Sequence, residues 1–123
     1  MIVLVCGGRK FHDKKFLYSV LDHINKHSPI LTIIHGDAKG ADSLGGRWAR
    51  ENDVLEHAKP ADWGKYGKSA GFKRNVEMIN MNPHLVVAFT GGVGTAMMIR
   101  ISKEHGVKVM DFQNHEGLID AID

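Results

Sequence analysis

The chain has 123 residues, 43% of them apolar and 24% charged, with a formal net charge of +2. That length holds one domain with a real hydrophobic core and is too short for two. Lysine and arginine are scattered, with no run longer than Lys14-Lys15, so nucleic-acid binding has no compositional support, and no apolar stretch approaches the ~20 residues of a membrane span.

Met1 to Val5 is too short for a signal peptide and reads as the start of a first strand. Cys6 is the only cysteine, which rules out an intramolecular disulfide and fits a reducing cytoplasm, the expected location. The histidines form no HExxH or Cys/His zinc pattern, and no cofactor is expected.

Residues 2–6 are continuously apolar and rich in β-branched side chains, as in a strand buried on both faces, and end in Gly7-Gly8-Arg9. Phe16, Leu17, Val20, Leu21 and Ile24 then recur at helical spacing from Asp13, a candidate N-cap, to about His27, and Pro29 stops the helix. A second strand, Leu31 to His35, leads into the glycine loop Gly36-Asp37-Ala38-Lys39-Gly40-Ala41-Asp42 and a helix to about Asn52, with Leu44, Trp48 and Ala49 inward. Val54 to His57 is a brief third strand. Lys59 to Ser69, with Pro60, Trp63 and Tyr66, is long for a plain connection, and such loops are more often functional than idle.

A helix from Gly71 or Phe72 to Asn80 carries Lys73-Arg74-Asn75 in its first turn. Cations there oppose the helix dipole, so either a bound anion justifies them or they are solvated surface charges. Leu85 to Phe89 is a short apolar strand that ends in Gly91-Gly92-Val93-Gly94-Thr95, and a helix follows to about His105, capped by Gly106. Val107 to Met110 is a fifth strand, and Leu118, Ile119 and Ile122 suggest a short terminal helix in residues 113–123.

Strands alternating with helices imply right-handed crossovers and an α/β fold, a doubly wound, mostly parallel five-stranded sheet with helices on both faces and the order 3-2-1-4-5. Ligands of such sheets sit beyond the carboxyl ends of the strands, where the strand order reverses. All three glycine loops follow strands, and Gly7-Gly8-Arg9 should face Gly91-Gly92-Val93-Gly94-Thr95 across that crevice. There the N–H groups of Val93, Gly94 and Thr95 start a helix and favour an anion such as phosphate. The spacing matches neither GxGxxG nor GxxxxGK[ST].

Five segments, Gly7-Gly8-Arg9, His35 to Asp42, Pro60-Ala61-Asp62-Trp63, Ala70 to Met78 and Gly91 to Thr95, resemble in order and spacing the small YspA-like branch of the SLOG superfamily. That superfamily also holds the Smf/DprA DNA-processing proteins and the LOG nucleoside-monophosphate phosphoribohydrolases. The resemblance covers about residues 1–112 and implies a Rossmann-like fold whose glycine loops hold a nucleotide or a nucleotide-derived ligand, either bound intact or cut between base and ribose phosphate. LOG enzymes carry acidic residues after the Gly-Gly-x-Gly-Thr motif, including a catalytic glutamate three positions past the threonine. Here those positions are Met97 and Met98, and methionine can neither accept a proton nor offer charge to an oxocarbenium-like transition state. Phe72 stands where this branch commonly has proline.

The expected function is therefore binding of a nucleotide or nucleotide-derived small molecule, as a sensor or sequestering module. Gly91, Gly92, Gly94 and Thr95 would receive the phosphate, Gly7, Gly8 and Arg9 would close the opposite wall, and Arg74 would be a second phosphate contact. Gly36 and Asn75 belong to the same set. Two roles are open to Asp37 and Asp42: ribose hydroxyls or a base edge, or merely their own turn and helix start. Trp63 and Tyr66 either stack on a base or pack against the sheet edge.

The alternative is a nucleotide N-glycosidase in which Asp37 or Asp42 replaces the lost glutamate. Metal chemistry through His35, Asp37 and Asp42 matches no established ligand spacing. A homo-oligomer is expected, because Val76, Met78, Ile79 and Met81 with Met97 and Met98 supply more methionine than one small core needs and LOG relatives pair through helices of this region; an ordinary core role for them is the other reading.

Overall fold

The computed structural model describes residues 1–114. It holds five strands in the order β3-β2-β1-β4-β5, every neighbouring pair parallel. The strands are β1 (Ile2–Cys6), β2 (Thr32–His35), β3 (Leu55–Ala58), β4 (Leu85–Phe89) and β5 (Lys108–Phe112). The helices are α1 (Lys14–His27), α2 (Ala41–Glu51), α3 (Trp63–Tyr66), α4 (Ala70–Ile79) and α5 (Val93–Glu104), with a 3-10 turn at Gly67–Ser69. The sheet is thus parallel throughout.

Alternation along the strands builds two cores. Val3 and Val5 of β1, with Ile33, Val87 and Phe89, face α1 and α2, whose apolar stripes bring in Phe16, Leu17, Val20, Leu21, Trp48 and Ala49. Leu4 and Cys6 point the other way, with Ile34, Val86 and Ala88, towards Met78 and Ile79 of α4 and Met98, Ile99 and Ile101 of α5. Central strands covered on both faces must be apolar at every position, and β4 is buried along its whole length. The first helix begins where the Asp13 carboxylate accepts the Phe16 N–H at 3.0 Å, and Lys26 and His27 complement the dipole in its last turn.

The sequence reading departs from the structure in three places. Lys59 to Ser69 is not an open loop: the Asp62 side chain caps α3 by accepting the Lys65 N–H at 3.0 Å, and helical turns run almost unbroken into α4. Because α4 starts at Ala70, Lys73 and Arg74 lie in its second turn, where the dipole opposes them less. The fifth strand runs to Phe112, whose ring stacks on Phe89 at 5.9 Å and meets Phe16 edge-on at 5.4 Å. The terminal helix expected from Leu118, Ile119 and Ile122 falls outside the described residues.

Met78 and Met98 are fully packed in the second core, and Val76, Met81 and Met97 lean on it half-buried. The methionines therefore fill space between helices and sheet and give no separate argument for self-association. Among the described residues no helix is long and apolar enough to cross a membrane.

Candidate functional site

The strand order reverses between β1 and β4, and there the three glycine loops are tied together by main-chain bonds. The Gly8 N–H donates to the Thr90 carbonyl at 2.8 Å, and the Gly8 carbonyl accepts the Ala41 and Phe11 N–H groups, both at 3.2 Å. One residue so joins the loop after β1 to those after β2 and β4. Gly40 makes this fit possible: its φ is +79°, and a Cβ there would overlap the Gly8 carbonyl oxygen.

Above these loops lies a cavity of about 250 Å³. Gly7, Gly8 and Arg9 form one wall and Gly92, Gly94 and Thr95 the facing one, with Asp42, Arg74 and Asn75 between them. Nine of the residues expected from sequence therefore meet in one place. Met97, Met98, Trp63 and Cys6 also line it. Gly92 is the N-cap of α5 and no side chain caps that helix, so the N–H groups of Val93, Gly94 and Thr95 have no intrahelical partner and start the helix at the cavity wall.

Arg74 is held in place by the chain's own polar groups. Its Nη1 donates to the Gly36 carbonyl, and its Nε donates to Asn75 Oδ1 at 3.0 Å. Asn75 is itself buried and reaches the Gly94 carbonyl at 3.4 Å, so α4 and the start of α5 are pinned to one another at the cavity.

The two aspartates are not equivalent. Asp42 is buried, and its Oδ2 accepts the N–H groups of Gly36 at 3.1 Å and Ala38 at 3.3 Å, which shapes the second glycine loop. Burial raises its carboxyl above the ordinary range, although those N–H groups and the Arg74 guanidinium pull the other way. Asp37 is exposed with φ +58° and borders, with Gly36, an adjoining hollow of about 240 Å³. Arg9, Ala38, Trp63 and Arg74 are common to both hollows. Gly91 lines neither cavity, and its N–H donates to Gln113 Oε1 at 3.0 Å.

His35 is buried beneath the second loop. Its Nδ1 accepts the Asp37 N–H at 3.0 Å, so the ring proton sits on Nε2 and is donated to Glu56 Oε2 at 2.7 Å. Glu56 also accepts Arg50, and the two hydrogen bonds hold its carboxyl below the usual range. Gly46 leaves the room for this pair: a Cβ there would overlap Glu56 and lie 2.7 Å from His35 Nε2. With both ring nitrogens engaged, His35 does not join Asp37 and Asp42 as a ligand set. Cys6 sits at the cavity wall with its thiol pushed up by burial and then by Asp42 and Asp111, and stays neutral.

A family model, described as the YspA, cpYpsA-related SLOG family, matches residues 1–66. The Gene 61 protein of Mycobacterium phage D29 is 34% identical over 118 residues, covering 89% of this chain and 94% of that protein. The chain belongs to the YspA, cpYpsA-related SLOG family. Its fold is shared with the X-ray structure of TM1055, at a TM-score of 0.68 and 16% identity over 88% of this chain and 71% of the other. In this SLOG chain the matched segment contributes Gly7 to Arg9 and Gly36 to Asp42, while α4, the loop after β4 and α5 lie beyond it.

Sequence reading missed Gln113 and the Cys6, Ala38 and Gly71 portions of the wall. Gln113 was unreachable because the loop it pins is distant in sequence, whereas Cys6 carried a signal: it ends a strand immediately before a glycine loop.

Proposed function

We propose that this chain binds a nucleotide or nucleotide-derived ligand and holds it intact, as a sensor or sequestering module. The observation that carries this reading is the cavity of about 250 Å³ whose facing walls are the main chain of two glycine loops, with Arg74 and Asn75 already fixed between them. A phosphate meets the α5 N–H groups and Arg74, which supplies charge-assisted bonds on a side chain ordered beforehand. Trp63, half-exposed at the rim, offers a face to a base.

Met97 and Met98 stand on the wall where a glycosidase would place its acids. Incubating the protein with nucleoside monophosphates and ADP-ribose compounds, then separating bound from free species with mass detection, tests the reading. Retention of an intact nucleotide supports it, and release of free base overturns it.

One observation favours N-glycosidase activity: Asp42 lines the cavity with a raised carboxyl pKa, as a general acid requires. In that case Asp42→Asn keeps binding and abolishes base release, and a wild type with no turnover ends this reading. Self-association belongs to the same proposal, since Phe72 and Val93 expose apolar surface at α4 and α5. Light scattering should give a mass above that of one chain.

A further inference from the structure

Arg74 borders a third hollow, of about 290 Å³, whose lining includes no residue of the glycine loops. This hollow is formed by the Lys59 to Ser69 connection and α4, and four cations, Lys59, Lys65, Lys73 and Arg74, face two carboxylates, Asp62 and Glu77. Both carboxylates have employment. Glu77 pairs with Lys59 at 3.1 Å, and Asp62 caps α3.

The remaining two ammonium groups crowd one ring. Lys65 Nζ lies 5.1 Å and Lys73 Nζ 4.8 Å from the centroid of Tyr66, and neither forms a salt bridge among the described residues. The Tyr66 ring attracts both ammonium groups, and Tyr66 first, then Asp62 and Glu77, favour the charged form of Lys65, so the hollow keeps positive charge to offer an anion. Pro60 borders this hollow and the one beside Asp37, while Arg74 borders all three, so a ligand has a continuous series of walls to follow.

We infer that the Lys65–Tyr66–Lys73 hollow takes a second phosphate of the same ligand, so that the bound species is a nucleotide with two separated phosphate groups, of the nucleoside-bisphosphate or dinucleotide class. The inference rests on the nucleotide reading proposed above and adds the ligand's second charged end. Arg74 stands between the two phosphates and serves both.

The test compares nucleoside 5′-monophosphates with nucleoside 3′,5′-bisphosphates and 5′-phosphorylated dinucleotides of the same four bases, by calorimetry on wild type and on the Lys65→Gln/Lys73→Gln variant. Both lysines are exposed, so the variant folds, as circular dichroism checks. For one base, a two-phosphate probe should bind about tenfold or more tighter than its monophosphate, as expected for one further charge-assisted contact. The variant should lose that advantage and leave monophosphate affinity within about twofold, the scale of a rim-charge effect. Equal affinity for both probe classes, or a variant that weakens both alike, overturns the inference while the nucleotide reading stands. Binding of no probe by the wild type overturns both.

Discussion

At Gly40 a single hydrogen in place of a methyl group decides whether the loops after β1 and β2 can touch. Gly40→Ala forces a side chain onto a residue with φ +79° and against the Gly8 carbonyl, and should cost about 1–3 kcal/mol, read as a lower urea midpoint with unchanged slope. Asp42 gives a prediction with a sign. Its folded pKa is raised, so its contribution to stability is present below the ordinary carboxylate pKa of about 3.9 and is lost as pH rises through the folded value. Asp42→Asn retains an oxygen for the Gly36 and Ala38 N–H groups and cannot ionise. Its stability relative to wild type should therefore climb from about pH 4 upward, measured by urea unfolding between acid and neutral pH; a constant difference would show that burial does not disfavour the Asp42 charge. Met98→Glu, which restores the residue type that the LOG resemblance implies, places a carboxylate where the wild-type side chain is 1% exposed. It should destabilise by several kcal/mol or raise that carboxyl's pKa, and should not create a hydrolase.

Among the elements, the strands and the long helices were legible because burial dictates their pattern. Leu85 to Phe89 is apolar at every position since β4 is covered on both faces, and the helical spacing of Phe16 to Ile24 follows from one face meeting the sheet. The short helix α3 was not legible. Gly64 and Gly67 argue against helix at the level of propensity, and only the Asp62 cap and contact with α4 secure it. The three glycine loops and their convergence were readable from strand–glycine–helix succession, but the different placements of Asp37 and Asp42 were not, because they follow from the His35 and Arg74 contacts across the loop. This element offers a probe: Trp63 is half-exposed at the cavity rim while Trp48 is fully buried. Nucleotide addition should change tryptophan emission in wild type, and Trp63→Phe should abolish the change, since Trp48 donates to Asp22 on the opposite layer.

For the whole molecule, the cavity opens from the second core, where Cys6, Met78 and Met98 line it, onto the loops at the switch point. Gly8 fastens the loops above the sheet, while Arg74 and Asn75 tie α4 to the second and third loops, so a ligand that bridges these groups restrains elements from both sides of the switch point. A ligand at about 100 times its Kd should stabilise the fold by about 2.7 kcal/mol, a rise in Tm of several degrees by differential scanning. Arg74→Ala should lose about 1.5–3 kcal/mol of nucleotide affinity, and with it most of that rise; retention of the full rise would remove Arg74 from the site.

The Gly8 bonds to Thr90 and Ala41 also bear on how such a protein diversifies. A floor made of peptide groups is the same for any side chain that the rest of the chain carries, and it leaves little room for substitution without loss of the fold. Variation must then fall at the margin, at Trp63, Met97 and the Lys65–Lys73 hollow, so descendants of one scaffold can change the side chains around the cavity while keeping its peptide floor.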